Sequence, residues 1–217
     1  MKRLFLNFEA LPDIEGARSL YGLPATLSDK DTGKVLFHHH VQEQGRDARF
    51  LSPWQSRLAM VSMLSMHDEE VKLTSYQMET EDERLLLETV SRYLAEHDMT
   101  FCWDEGRGIN PLLHVRSMIL GVRLPDRHVR TVERRMRIQP GSVSLATIAR
   151  RFGIRAEAMP GDEPTWQQVL AGGEASLAGR CKANLVASAQ LGLKHLYTTG
   201  EIDADLHDSL QSSCERL

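Results

Sequence analysis

Large apolar residues run almost unbroken from Leu4 to Phe8. Such a run predicts a buried strand at the centre of a parallel or mixed sheet. Period two sends Asn7 and Glu9 to the same side of that strand. Two polar side chains in a buried strand need water, a metal or partner groups to satisfy them. The pair marks either a strand end emerging into solvent before Pro12-Asp13 or a metal-binding edge.

The pattern then predicts the remaining elements in order. Asp13 to Gly22 reads as a short helical turn, closed by Gly22-Leu23-Pro24. Asp31-Thr32-Gly33 reads as a turn, Val35-Leu36-Phe37 as a short strand and Gln42 to Arg49 as loop. Arg57 to Met66 and Glu70 to Met78 read as two strands joined by a hairpin through His67-Asp68-Glu69-Glu70. Thr80 to His97 predicts a helix, with Thr80 as cap, Glu83 completing a capping box, and Leu86, Val90, Tyr93 and Leu94 as its apolar face. Met99 to Trp103 is a short strand. Asn110 at N-cap and Pro111 at the first helical position open a helix to Leu120. Asp126 to Ile138 is ambiguous; as a helix it puts Val129, Val132 and Met136 on one side and arginines on another. Ser144 to Phe152, Trp166 to Ala171, Ser176 to Tyr197 and Asp203 to Glu215 are helical, with a loop from Met159 to Pro164. The class is α/β: a small mixed sheet containing an antiparallel pair, covered by helices.

Composition narrows this little. A chain of 217 residues with 41% hydrophobic and 26% charged residues suits one globular domain over 1–217. A net charge of -4 gives no global attraction to nucleic acid, so any such binding needs a local basic patch. Cys102, Cys181 and Cys214 lack metal-type spacing and fit reduced thiols in the cytoplasm. The apolar run after Lys2 and Arg3 is too short for a signal peptide, and no segment approaches a membrane span, so no membrane contact is expected. His38-His39-His40 suggests a metal, but adjacent residues of an extended segment alternate faces and cannot all meet one ion.

Three segments carry a joint signal: Asn7-Phe8-Glu9-Ala10-Leu11-Pro12-Asp13, Glu105-Gly106-Arg107-Gly108-Ile109-Asn110-Pro111 and Arg180-Cys181-Lys182-Ala183-Asn184. Their order and spacing resemble the predicted 3′–5′ exonucleases related to the proofreading domain of family B DNA polymerases. Those enzymes belong to the DEDD superfamily. The corresponding family segments read roughly Asp-Ile-Glu-Thr-Val-Pro-Asp, Asn-Gly-Arg-Gly-Phe-Asp-Leu-Pro and Tyr-Cys-Glu-x-Asp. The resemblance implies a ribonuclease H-like fold, with a mixed sheet of about five strands flanked by helices. It also implies a site where four carboxylates hold two divalent cations that activate water and stabilise the leaving oxygen.

The departures carry the functional expectation. Asn7, Asn110 and Asn184 stand where the family has aspartates, Glu9 alone keeps its charge, and Arg180 replaces the tyrosine. Asparagine offers a cation one neutral oxygen and cannot offset its charge. Glu9 is the one metal ligand expected, if any. The chain is therefore expected to be a degenerate exonuclease-like domain that needs no cofactor. It would have lost hydrolysis and kept nucleic-acid binding or an interaction role. Two alternatives stand beside this. One is an active Mg²⁺- or Mn²⁺-dependent exonuclease with rearranged acids, for which Asp13, Asp104 and Glu105 are the available candidates. The other is a protein-interaction module without nucleic-acid binding.

The basic positions are candidate contacts for single-stranded DNA or RNA. Arg127, Arg130, Arg134 and Arg137 would form one continuous stripe on a helix, either a solvated face or a phosphate track. Arg107, inside the second motif, joins them as a candidate contact.

Overall fold

The computed structural model describes residues 1–77 and 82–217. The first strand, β1 (Lys2–Pro12), is buried over nearly its whole length. It is followed by α1 (Ile14–Tyr21), α2 (Asp29–Gln44), a single 3-10 turn (Pro53–Gln55), β2 (Ser56–His67), β3 (Glu70–Gln77) and α3 (Glu83–Glu96). The second half holds β4 (Met99–Cys102), α4 (Ile109–Leu120), β5 (Arg130–Thr131), α5 (Val132–Arg135), α6 (Leu145–Arg151), α7 (Asp162–Leu170), α8 (Glu174–Thr198) and α9 (Ala204–Glu215).

The strands form one five-stranded mixed sheet in the order β3-β2-β1-β4-β5. β2 runs antiparallel to both β1 and β3, while β4 is parallel to β1 and to β5. This is a ribonuclease H-like arrangement, with the predicted first strand at its centre. Alternation along β1 assigns each face its core. Leu4, Leu6 and Phe8 pack with Leu86, Leu87, Val90 and Leu94 of α3 and with Leu112 and Leu113 of α4. Phe5 turns to the opposite face, where it meets Phe101 and the apolar residues of α8. Asn7 and Glu9 share that second face, so period two places both under α8.

α8 can approach so closely because Gly192 lies against β1. A Cβ there would sit 2.4 Å from Cε1 of Phe5. The same helix brings Arg180 and Cys181 down to the C-terminal half of the strand, where they meet Glu9 and Asn7.

Several expectations need correction. The predicted turn at Asp31-Thr32-Gly33, the strand at Val35 to Phe37 and the first three residues of the loop from Gln42 are part of helix α2, capped by the Ser28 side chain; the loop itself starts at Gly45. Thr32, Gly33, Leu36, Phe37 and His40 form its buried stripe. Gly33 serves packing rather than a turn: a Cβ there would lie 2.5 Å from the Trp166 ring nitrogen. The helix also disperses the three histidines, with His40 buried and bonded to Gln55 (2.9 Å) and His38 exposed and bonded to Gln42 (2.9 Å). The predicted cap Thr80 lies outside the described residues. Asp82 caps α3, accepting from the Leu85 N–H, and Glu83 pairs with Arg116 (2.5 Å). α4 begins before Asn110, after a left-handed Gly108. Asp126 to Ile138 is not one helix. It holds strand β5, the four-residue α5 and a left-handed Arg137 (φ 60°), because Val129 and Thr131 turn inward to complete the sheet edge.

Candidate functional site

The segments that carry the resemblance converge at the C-terminal end of β1, as a closed ion network. Glu9 is fully buried (0% exposed). Its Oε2 accepts from both terminal nitrogens of Arg107, at 3.3 and 3.2 Å, and its Oε1 accepts from Nε of Arg180 at 3.1 Å. Arg107 reaches in from the loop after β4, donates to the Phe8 carbonyl (3.0 Å) and lies over the Phe50 ring at 4.8 Å. Arg180 spends its outer nitrogens on Gln168 and Thr165 of α7, each at 3.3 Å.

A second carboxylate balances the second guanidinium. Asp162, at the start of α7, lies 3.8 Å from Arg107 and accepts from the Leu51 N–H at 2.7 Å. Two buried arginines thus face two buried carboxylates. Burial works against the Arg107 charge, but the charges of Glu9 and Asp162 outweigh it and raise its pKa. Burial raises the Asp162 carboxyl, with the Arg107 charge opposing. Burial, with the Glu9 charge adding to it, pushes the neighbouring Cys181 thiol up to about 12.

The three asparagines are each bound into the frame through an N–H that aspartate lacks. Asn7 donates to the Cys181 carbonyl (3.1 Å), tying β1 to α8. Asn110 accepts from the Val129 N–H (3.0 Å) and donates to the Val129 carbonyl (2.9 Å), clasping the segment that leads into β5. Asn184 accepts from the Glu157 N–H (2.8 Å) and donates to the Met159 sulfur (3.3 Å). The structure therefore brings Asn7, Glu9 and Arg180 together with Arg107. Asn110 is directed to the Val129 backbone, and Asn184 to the Glu157 N–H and the Met159 sulfur, instead.

These residues do not fit a two-metal centre. Both oxygens of Glu9 already face guanidinium groups, and a divalent ion beside two such cations would meet repulsion. Among the described residues no three histidine, cysteine or carboxylate side chains converge to hold a metal ion. The substitute acids are engaged as well. Asp104 caps α4 through the Gly108 and Ile109 N–H groups, Glu105 accepts from the Leu145 N–H (2.6 Å), and Asp13 pairs with Arg116 (2.5 Å).

Two further acids, outside every motif, are central to this region. Asp162 sits in a segment read as loop, and only charge balance points to it: two buried arginines require a second carboxylate. Glu133 is fully buried (0% exposed) and accepts from the N–H groups of Asp104 and Glu105, at 2.9 and 2.8 Å. It thereby holds the loop that carries Arg107. Burial pushes its carboxyl up to about 7, against the backbone N–H groups it accepts. A lone acid among arginines gave no local signal for this.

The arginine stripe is divided. Arg107 is buried against Glu9 and presents no surface to a nucleic acid. Arg127 turns to the His97 carbonyl, and Arg137 follows α5 in a left-handed conformation. Arg130 and Arg134 are exposed and share a groove of about 590 Å³ with His128, Asn110 and Pro111.

Fold and site together define an α/β fold with a ribonuclease H-like sheet, whose central strand carries a closed, charge-neutralised ion network. No protein-family model, curated protein or solved structure matches the chain. Among the described residues no helix is long and apolar enough to cross a membrane.

Proposed function

We propose that this chain is a degenerate DEDD-type 3′–5′ exonuclease-like domain that has given up metal-dependent hydrolysis and retains nucleic-acid binding. The observation that carries the reading is the pairing of Glu9 with both Arg107 and Arg180. In the family it resembles, the corresponding glutamate faces divalent cations. Here two guanidinium groups supply the positive charge, permanently and without an open coordination position.

The groove beside Asn110 supports the binding half of the reading. It adjoins the second motif, and Arg130, Arg134 and His128 line it. Exposed arginines on neighbouring elements suit phosphate oxygens of a single strand.

The test is fluorescence anisotropy of labelled single-stranded DNA and RNA across a salt series, run beside a Mn²⁺- and Mg²⁺-supplemented trimming assay. The expected result is salt-sensitive binding without shortening from the 3′ end. Arg130→Glu with Arg134→Glu should weaken binding and reduce the salt slope by about two. Metal-dependent trimming that Glu9→Gln abolishes would overturn the loss of hydrolysis. Absence of binding at low salt would overturn the retained function.

A further inference from the structure

A second groove, of about 700 Å³, lies between α8, α9 and the segment that follows α6. It occupies a different face of α8 from the ion network. Arg180 and Asn184 point towards the sheet and its surroundings, whereas Lys182, Val186, Gln190 and Lys194 recur every four residues and line the groove.

Its floor combines apolar surface with unused amides. Ile154, Ala183 and Val186 supply the apolar part. Gln190 is only 8% exposed, yet its side chain makes no hydrogen bond to another described residue. Its amide therefore reaches the groove's open side rather than a buried partner. Across the groove, Gln211 of α9 has a buried amide oxygen without a partner among the described residues. Buried polar groups are nearly always hydrogen-bonded, so the Gln211 oxygen requires an explanation. A side-chain amide offers donor and acceptor side by side, the complement of a peptide group. The walls are charged: Arg155, Lys182 and Lys194 outweigh Glu157 and Glu215. Burial pushes the Cys214 thiol on this floor up to about 12, so it stays protonated and offers no nucleophile.

We propose that this groove binds an extended acidic peptide segment of a partner protein, with Gln190 and Gln211 holding its backbone and Lys182 and Lys194 its acidic side chains. The span sets the length. Twelve residues of helix separate the two lysines, about 18 Å at the helical rise. An extended chain covers that distance in about six residues. The peptide carries acids towards its two ends and an apolar side chain between them, over Val186. This inference is independent of the nuclease-like reading, because none of its residues belongs to the ion network or to the groove beside Asn110.

The experiment uses the full chain and a displayed library of random peptides of about eight residues. Enriched sequences are then measured by fluorescence anisotropy against the unmodified protein and three variants. Enrichment of acid–apolar–acid peptides is expected. Gln190→Leu, which keeps volume and removes the amide, and the exposed Lys182→Glu should each weaken binding about tenfold. Arg130→Glu, in the other groove, should leave it unchanged. Failure to enrich any peptide, or peptides that bind Gln190→Leu and Lys182→Glu as tightly as the unmodified chain, would overturn the proposal. A concentration-dependent dimer in light scattering that Lys182→Glu disperses would assign the groove to a second copy and overturn it equally.

Discussion

Replacing Glu9 by glutamine keeps the side chain's shape and removes its charge, and two rival roles for this residue give opposite signs. In the ion network, Glu9 neutralises Arg107 at 3.2 Å and Arg180 at 3.1 Å while fully buried. Without it, two buried guanidinium groups share Asp162 alone, which lies 3.8 Å from Arg107. Breaking a buried pair from one side costs about 3–5 kcal/mol, because the remaining charge is left uncompensated. A chain of this size loses about 2–4 °C of Tm per kcal/mol. The expected fall is therefore about 6–20 °C. Thermal denaturation followed by circular dichroism reads it, and urea denaturation checks that the midpoint moves while the slope holds. Glu9→Gln combined with Arg180→Leu should recover part of the loss, since the second change removes one of the stranded charges. If Glu9 were instead a bare metal ligand repelled by neighbouring acids, Glu9→Gln would raise Tm, or leave it alone, in metal-free buffer. Either result refutes the network.

Other perturbations test the surrounding frame. Asn110→Asp removes the donor to the Val129 carbonyl and sets a carboxylate against it; a loss of about 1–3 kcal/mol is expected by urea denaturation, with no Mn²⁺ binding gained in calorimetry. Glu133 has a folded pKa of about 7 against an ordinary 4.5, so its protonated form favours the fold. Its contribution is full below pH 4.5 and lost as pH rises through 7, about 3 kcal/mol in all. Glu133→Gln should flatten the stability profile between about pH 4.5 and 7; an unchanged profile would rule out Glu133 as its source. Gly33→Ala forces a methyl group against Trp166. A loss of about 1–3 kcal/mol and a shift in tryptophan emission are expected, and unchanged stability with unchanged emission would contradict the close packing of α2 on α7.

The sheet was readable because its signals are local. Leu4 to Phe8 form an apolar run with a single burial solution, and Arg57 to Met66 with Glu70 to Met78 flank a four-residue turn, so the central strand and the β2–β3 hairpin followed from pattern alone. α2 was not readable for a physical reason. Its buried stripe contains Thr32, Gly33 and His40, residues that suggest a turn or a ligand until Trp166 and Gln55 arrive from distant parts of the chain. β5 failed similarly: two residues of strand followed by one turn of helix have no period of their own, and Arg130 and Arg134 matched helical spacing by coincidence.

The site divides along the same line. Asn7, Glu9 and Arg180 were identifiable because each sits in a motif, but what they do depends on residues outside every motif. Arg107 illustrates this. Its place inside the second motif marks it as a candidate phosphate contact, yet Gly106 and Gly108, both at positive φ, let the loop turn back so that the guanidinium is buried beneath Phe50. Once Arg107 and Arg180 are inside, neutrality requires two carboxylates, and Asp162 is the second. Three aspartates in place of Asn7, Asn110 and Asn184 would bring excess negative charge and remove the N–H groups that bind α8, β5 and the Met159 segment to their neighbours. Each asparagine thus serves its own frame contact, while the two arginines serve the ion network. An aspartate at any one of the three positions would cost stability without building a metal site, because both oxygens of Glu9 would still face Arg107 and Arg180.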